Sequence, residues 1–356
     1  MFPRQWHSPN SQLGLTSSFL DFEYSLRSKH FAAAQSILFD NVTLDRSYIF
    51  RQFKRLRFIE KFCASPSNHL SYSFVDFWPD HDPTSSQLSD FIQYSLPDLT
   101  FSYLSDYTRA DILFCSCYGN TDLSSLSKHS TRILFLGENV RPQYYFYDYS
   151  LSFDIDTYCL RNIYFPLWLL EIDWFNKTVY PDRRPLPLSR FTSPLIYDPI
   201  TRSESLVYIG NNNEPYRTST MYYLQQNGIN LEKYGSHTRP VGNKEELLSQ
   251  YKATIAFENS FSPGYITEKP IHGLLSSTPT LYWGGHLPAY SPFLDHPLLY
   301  HCSPADNMHK ILDALQAYYH MPRTVFPPIF SHGFATSTFY SLVSRIRELF
   351  SIYYNT

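Results

Sequence analysis

The chain has little of what marks the easily read protein classes. Glycine is scarce, at 12 of 356 residues, which excludes collagen-like and glycine-rich flexible chains. Five cysteines occur without any paired metal-ligand spacing, so neither a disulfide framework nor a structural zinc site is indicated. Cys115 and Cys117 alternate along an apolar run and would share one strand face, as buried or half-buried thiols rather than a redox pair. A reducing compartment follows from this. Nowhere do ~18 apolar residues run uninterrupted, so a membrane span is not expected. Met1-Phe2-Pro3-Arg4-Gln5-Trp6-His7 opens no apolar core of signal-peptide type, and the expected location is cytoplasmic. The Asn41-Val42-Thr43 and Asn176-Lys177-Thr178 sequons are read as chance for the same reason. Basic charge is not in excess. A formal net charge of -3 argues against a nucleic-acid binder.

What is present points to a globular enzyme-sized chain. Hydrophobic residues make up 43%, with 25 prolines, and the length exceeds one typical core, so two domains are expected. The 30 Tyr and 28 Phe residues read mostly as ordinary core and surface positions, with sugar-stacking platforms at particular sites.

Residues 1–69 form an expected N-terminal extension, mostly helical. Its segment Arg51–Phe58 is basic and amphipathic, read as a solvated helix face, with a membrane-surface contact as the lesser alternative. From Leu70 the pattern sharpens. Leu70–Trp78, Ile112–Cys115, Arg132–Leu136 and Tyr149–Phe153 read as strands, with a helix near Ser86–Tyr94. Strands alternating with helix-length segments predict a parallel sheet, and residues 70–175 are taken as the first domain. The Pro- and Arg-rich stretch 176–203 is expected to be a linker. The second domain, 204–325, follows, with strands at Ser205–Ile209, Ile229–Tyr234 and Thr280–Trp283 and helices at Pro215–Asn227, Lys244–Tyr251 and Met308–Tyr319. Residues 326–356 are expected to be a helical tail, packed back on the body or attached to a membrane surface.

One stretch organises the second domain. Ala253–Phe257 reads as a buried strand. A polar loop follows, with Asn259 and the turn signal Pro263-Gly264. Thr267 then looks like an N-cap, with Glu268 and Lys269 in the first helical turn. A strand, loop and helix N-terminus in this order suit an anionic ligand.

Gly137-Glu138-Asn139-Val140-Arg141-Pro142, Tyr251-Lys252, Phe257–Ser260 through Gly264–Lys269, and Tyr282-Trp283-Gly284, in that order, resemble the α-1,3/4-fucosyltransferases of glycosyltransferase family 10. Phe74–Pro79 resembles the start of bacterial-type members. The likeness covers roughly residues 70 to 300. It implies an α/β fold in the GT-B arrangement, two Rossmann-like domains facing each other across a cleft. It also implies GDP-L-fucose as donor, inversion at the fucose anomeric carbon, and a glycan acceptor, with O3 of N-acetylglucosamine in a lactosamine-type chain expected. No bound cofactor is expected, although divalent cations could stimulate.

The chemistry assigns roles. Arg217 and Lys269, each in the first turn of a predicted helix, would converge on one anion if their strands are neighbours. Alone, Arg217 reads as a solvated helix cation; the resemblance implies that both contact the diphosphate. Glu268 would repel phosphate and instead suits a ribose or fucose hydroxyl, as the resemblance implies. Asn259 and Tyr265 are candidate donor contacts, and Glu258 is equally a structural carboxylate or a ligand contact. Glu138, in a turn past a strand of the other domain, reads from its residues alone as a carboxylate capping the next segment. The resemblance implies that it is the general base, placed to face the donor across the cleft. Trp78 is a candidate acceptor-stacking surface, while Phe77 fits the core at least as well. Asp154-Ile155-Asp156 spells a metal-binding Asp-x-Asp but falls in the first domain, so it is read as structural and no metal site is expected. Pro270, directly after Lys269, departs from the family pattern. The alternatives are an inactive GDP-sugar or glycan-binding module of the same fold, and a glycosidase with paired carboxylates.

Overall fold

The structure is a computed structural model that describes residues 69–354, except 80, 85, 124–129, 143–145, 156–160, 178–184, 288–290 and 304–306, with side chains described as far as residue 348. The expected N-terminal extension with its basic segment, and Asp156, lie outside the described residues.

The first domain is a parallel sheet. Its elements are β1 (His69–Val75), α1 (Gln87–Ser95), β2 (Thr100–Tyr103), β3 (Ile112–Cys115), β4 (Thr131–Phe135), β5 (Tyr149–Ser152) and β6 (Asn162–Tyr164). The strand order is β2-β1-β3-β4-β5-β6, with every pair parallel. All four residues of β3, Ile112-Leu113-Phe114-Cys115, are buried, as a strand covered on both faces requires.

The chain then passes through α2 (Ser189–Thr192) and β7 (Leu195–Tyr197). The expected linker is therefore not bare: β7 pairs antiparallel with β13 (Thr324–Phe326), the last strand before the tail.

Between these two strands lies the second domain. It comprises β8 (Ser203–Ile209), α3 (Pro215–Gln226), β9 (Leu231–Tyr234), α4 (Lys244–Ser249), β10 (Tyr251–Phe257), α5 (Lys269–Leu275), β11 (Thr280–Trp283), β12 (Leu299–His301) and α6 (Met308–Tyr319). Its five parallel strands run β12-β11-β10-β8-β9. Chain direction across the sheet reverses between β8 and β10, which makes a crevice at their carboxyl ends.

The tail helix α7 (His332–Tyr354) returns to the first domain. Phe339 packs against Phe91 of α1 and stacks on Trp174 at 4.5 Å. Its buried face, including Leu342, Val343 and Ile346, belongs to the same core as β1 to β6. Of the two expected fates of the tail, packing on the body accounts for this apolar face. Among the described residues no helix is long and apolar enough to cross a membrane.

The helix that opens at the organising stretch starts one residue later than the sequence suggests. Thr267 is not its N-cap; Glu268 is, without a side-chain cap bond. The Thr267 hydroxyl is drawn instead to the buried Glu258 carboxylate, at 2.8 Å from Oε2. Just before it, Gly264 takes φ +83°, and a Cβ there would lie 2.5 Å from the carbonyl oxygen of Phe153 in the other domain. Gly264→Ala is expected to cost about 1–2 kcal/mol from the left-handed backbone alone, and to force the two domains apart at that point. Urea midpoints compared with those of Gly242→Ala, a site with open space around it, would check this; equal losses would contradict it.

Candidate active site

The site lies where the carboxyl ends of the two sheets meet. Glu138 stands in the turn after β4, and both of its oxygens are engaged. Oε1 accepts from the Tyr118 hydroxyl at 3.2 Å. Oε2 accepts from the Tyr265 hydroxyl at 3.1 Å and from Asn259 Nδ2 at 3.4 Å. A first-domain carboxylate is thus held by two residues of the organising loop of the second domain. The neighbouring Asn139 and Ser260 bridge the same gap at 2.5 Å, and Tyr164 donates to the Gly264 carbonyl at 3.2 Å. Tyr265 is fully buried, edge-on to Phe153 at 5.0 Å. Burial, with the Glu258 and Glu138 carboxylates nearby, pushes its phenol far above the ordinary value, so it stays a proton donor.

On the second-domain side a cavity of about 540 Å³ opens between β8 and β10, lined by Gly210, Asn211, Asn212, Gly235, Lys244, Asn259, Glu268, Lys269 and His272 among others. Lys269 Nζ bonds Glu258 Oε2 and Thr267 Oγ1, each at 2.9 Å. Burial disfavours its charge, but Glu258 and Glu268 outweigh this and hold the ammonium above its usual range. Of its three donors, one remains for a ligand. Glu258 is completely buried; it also accepts from the Thr267 amide at 2.7 Å. That resolves its two readings toward a structural carboxylate. Glu268 pairs with Lys244 at 3.3 Å. Burial works to raise its carboxyl, and Lys269 and Lys244 overcome this to hold it well below the usual carboxylate range.

Arg217 does not line this cavity. It is 1% exposed and turned inward. Nη1 donates to Tyr208 Oη at 2.7 Å and the Asn212 carbonyl at 2.9 Å. Nη2 donates to the carbonyls of Phe257 and Glu258, both at 2.6 Å, and reaches Asn259 Oδ1 at 3.4 Å. The guanidinium therefore fixes the end of β10 and the loop that carries Glu258 and Asn259. The N-terminus of its helix is also taken, because Glu214 Oε2 accepts from the Arg217 amide at 2.8 Å. At the other helix Pro270 removes an amide donor. Two open helix ends do not converge here; the cavity's positive character comes from side chains, Lys269 and Lys244.

Trp78 packs against Phe77, His81 and Tyr118 with centroids at 5.3, 4.8 and 6.0 Å, so it backs Tyr118, the ring that reaches Glu138. Phe77 joins the core as expected. Asp154 forms an ion pair with Arg141 at 2.8 Å, which supports its structural reading. Among the described residues no three His, Cys, Asp or Glu side chains gather as a metal site.

Sequence reasoning missed Tyr118, Lys244 and the pair His272–Glu171, which joins the domains at 3.1 Å. Burial disfavours the charged imidazole, but Glu171 prevails and raises His272 above its ordinary 6.5. A raised histidine stabilises most below its unfolded value and loses that contribution as pH rises through the folded value. Between about pH 5 and 8, the wild type is therefore expected to lose stability toward the alkaline side, and Glu171→Gln to flatten that decline. Parallel urea-midpoint profiles for the two proteins would refute the pairing.

Comparison with known proteins follows the same two halves. Residues 72–171 match the family model described as the alpha-(1,3)-fucosyltransferase FucT N-terminal domain, and residues 201–319 that of glycosyltransferase family 10 (fucosyltransferase) C-term. The Helicobacter pylori alpha-(1,3)-fucosyltransferase FucT is 24% identical over 255 residues, 64% of this chain and 52% of its own length. The Homo sapiens 3-galactosyl-N-acetylglucosaminide 4-alpha-L-fucosyltransferase FUT3 is 30% identical over 127 residues, 35% of this chain and 30% of its own. The chain thus spans about half the length of the bacterial relative, at 52%. A crystal structure of an alpha1,3-fucosyltransferase with GDP superposes with a TM-score of 0.51 at 19% identity, covering 82% of this chain and 93% of that one. That likeness shows the GT-B fold.

Proposed function

Because the chain belongs to glycosyltransferase family 10, the fucosyltransferases, we propose that it moves L-fucose from GDP-fucose to a glycan hydroxyl with inversion, O3 of N-acetylglucosamine in a lactosamine-type acceptor. The acceptor oxygen attacks the anomeric carbon as the bond from that carbon to the diphosphate oxygen breaks. Glu138 takes the acceptor proton, and GDP leaves with the bonding electrons. Lys269, backed by Lys244, stabilises the negative charge on the departing diphosphate, the kind of preorganised charge that supplies several kcal/mol. Glu268 and Asn259, on the cavity wall, suit hydroxyls of the nucleotide sugar, and Tyr265 orients the base. Arg217 serves the donor site through the loop it holds; a direct bond to phosphate asks Nη2 to leave the Glu258 carbonyl.

The observation that carries this reading is the span between the halves. A carboxylate on one domain is hydrogen-bonded by Asn259, and Asn259 also lines the cavity beside Lys269. Base and leaving-group site are therefore neighbours across the cleft. Incubation with GDP-fucose and N-acetyllactosamine, with GDP release and product linkage as readouts, tests it. Absence of release across a broad acceptor panel would sink it.

A further inference from the structure

Two aromatic rings at the cleft are backed on one side by a tryptophan and open on the other. Tyr118 is 46% exposed and Phe261 50% exposed. Tyr118 follows β3 of the first domain, on a loop tied to Asp76: its amide donates to the Asp76 carbonyl at 2.9 Å, and the Asp76 carboxylate accepts from the Thr121 hydroxyl at 2.8 Å. Asp76 itself takes φ +59° to do so. The ring is presented by a braced loop and backed by Trp78. Phe261 comes from the opposite side, one residue after Ser260, which bonds Asn139, and two after Asn259, which bonds Glu138. Its ring rests on Trp283 at 6.1 Å and 36°. Each domain therefore offers one exposed ring on a segment bonded to the Glu138-Asn139 turn or to its partners, Tyr118 directly and Phe261 through the adjacent Ser260.

The two oxygens of that carboxylate are unequal. Oε2 is anchored by the buried Tyr265 and by Asn259. Among the described residues Oε1 accepts from Tyr118 alone, whose exposed phenol can turn to water at little cost. We propose that Tyr118 and Phe261 are the two walls of the acceptor slot, and that Glu138 acts through Oε1. A pyranose ring lies with an apolar face against an aromatic wall, and its reacting hydroxyl takes the place of the Tyr118 phenol at Oε1. The proposal rests on the fucosyl-transfer reading and names its acceptor class: a neutral pyranose-containing glycan, since the Glu138 carboxylate at the slot disfavours an anionic group beside it.

The test combines saturation-transfer NMR of N-acetyllactosamine, GDP calorimetry and fucose transfer on the full chain. Loss of either ring, in Tyr118→Ala or Phe261→Ala, is expected to weaken acceptor binding and raise acceptor KM ~10-fold or more, the scale of a lost apolar contact in a pocket, with GDP affinity unmoved. Tyr118→Phe keeps the ring and is expected to keep acceptor affinity, and Phe261→Trp restores it. Ala variants that bind lactosamine like the wild type, or that lose GDP affinity equally, overturn the slot. A wild type that binds lactosamine yet transfers nothing defeats the reaction but not the slot; a wild type that neither binds nor transfers defeats both.

Discussion

Replacing Glu138 with glutamine is expected to lower kcat by ~10²–10⁴, the range a positioned general base contributes, with GDP affinity and folding unchanged. The substitution keeps the size and one acceptor oxygen. That oxygen can face Tyr265, whose buried phenol needs a partner, while the exposed Tyr118 finds water. What is lost is the ability to take the acceptor proton. Steady-state rates at saturating donor and acceptor, beside GDP calorimetry, separate this from a binding defect. A variant that retains wild-type kcat removes Glu138 from the role of base.

Lys269→Met is expected to do two things at once. Donor affinity falls, because the cation facing the diphosphate is gone. Stability also falls, by about 3–5 kcal/mol, because the fully buried Glu258 is left with an uncompensated charge. The single variant is therefore ambiguous, and the double variant Lys269→Met with Glu258→Gln resolves it. Removing both charges is expected to recover most of the urea midpoint, since neutral replacements of a buried pair are often tolerated, while GDP binding stays weak. Recovery of GDP affinity in the double variant would mean that Lys269 only neutralises Glu258.

Much of the frame was legible from local pattern. β3, β4, β10 and β11 are rich in apolar residues, as doubly covered parallel strands are. β3, β4 and β11 lie within a residue of their expected positions, while β10 starts at Tyr251, two residues before the expected Ala253 and at a residue expected to end the preceding helix. The turn bearing Glu138 and the loop bearing Asn259 and Tyr265 follow such strands directly, so their meeting at a sheet edge could be anticipated. What stayed hidden was direction. A cation in a first helical turn was expected to face out; Arg217 turns in, because the ends of β10 and its loop leave the Phe257 and Glu258 carbonyls needing donors. Thr267 had the chemistry of an N-cap, but a buried carboxylate nine residues earlier competes for its hydroxyl. Lys244 beside Glu245 and Glu246 looks like any solvated helix start; its meaning comes from Glu268, 24 residues on. Tyr118 is one tyrosine among 30, and only its contact with Glu138 singles it out.

The return of α7 to the first domain bears on how the molecule is made. Synthesis runs from the N-terminus, and domains commonly fold as they emerge. Here the domain that emerges first lacks Phe339, Leu342, Val343 and Ile346, which pack in its core, until a stretch more than 150 residues past its own last strand has been translated. The second domain completes one apolar cluster by Met321, but its other face, with Ile271, Leu274, Tyr282 and Leu299, shares the cluster that the tail helix joins. Both halves are thus expected to finish packing in one late, joint step, with the Phe91 side of α1 uncovered until Phe339 has emerged.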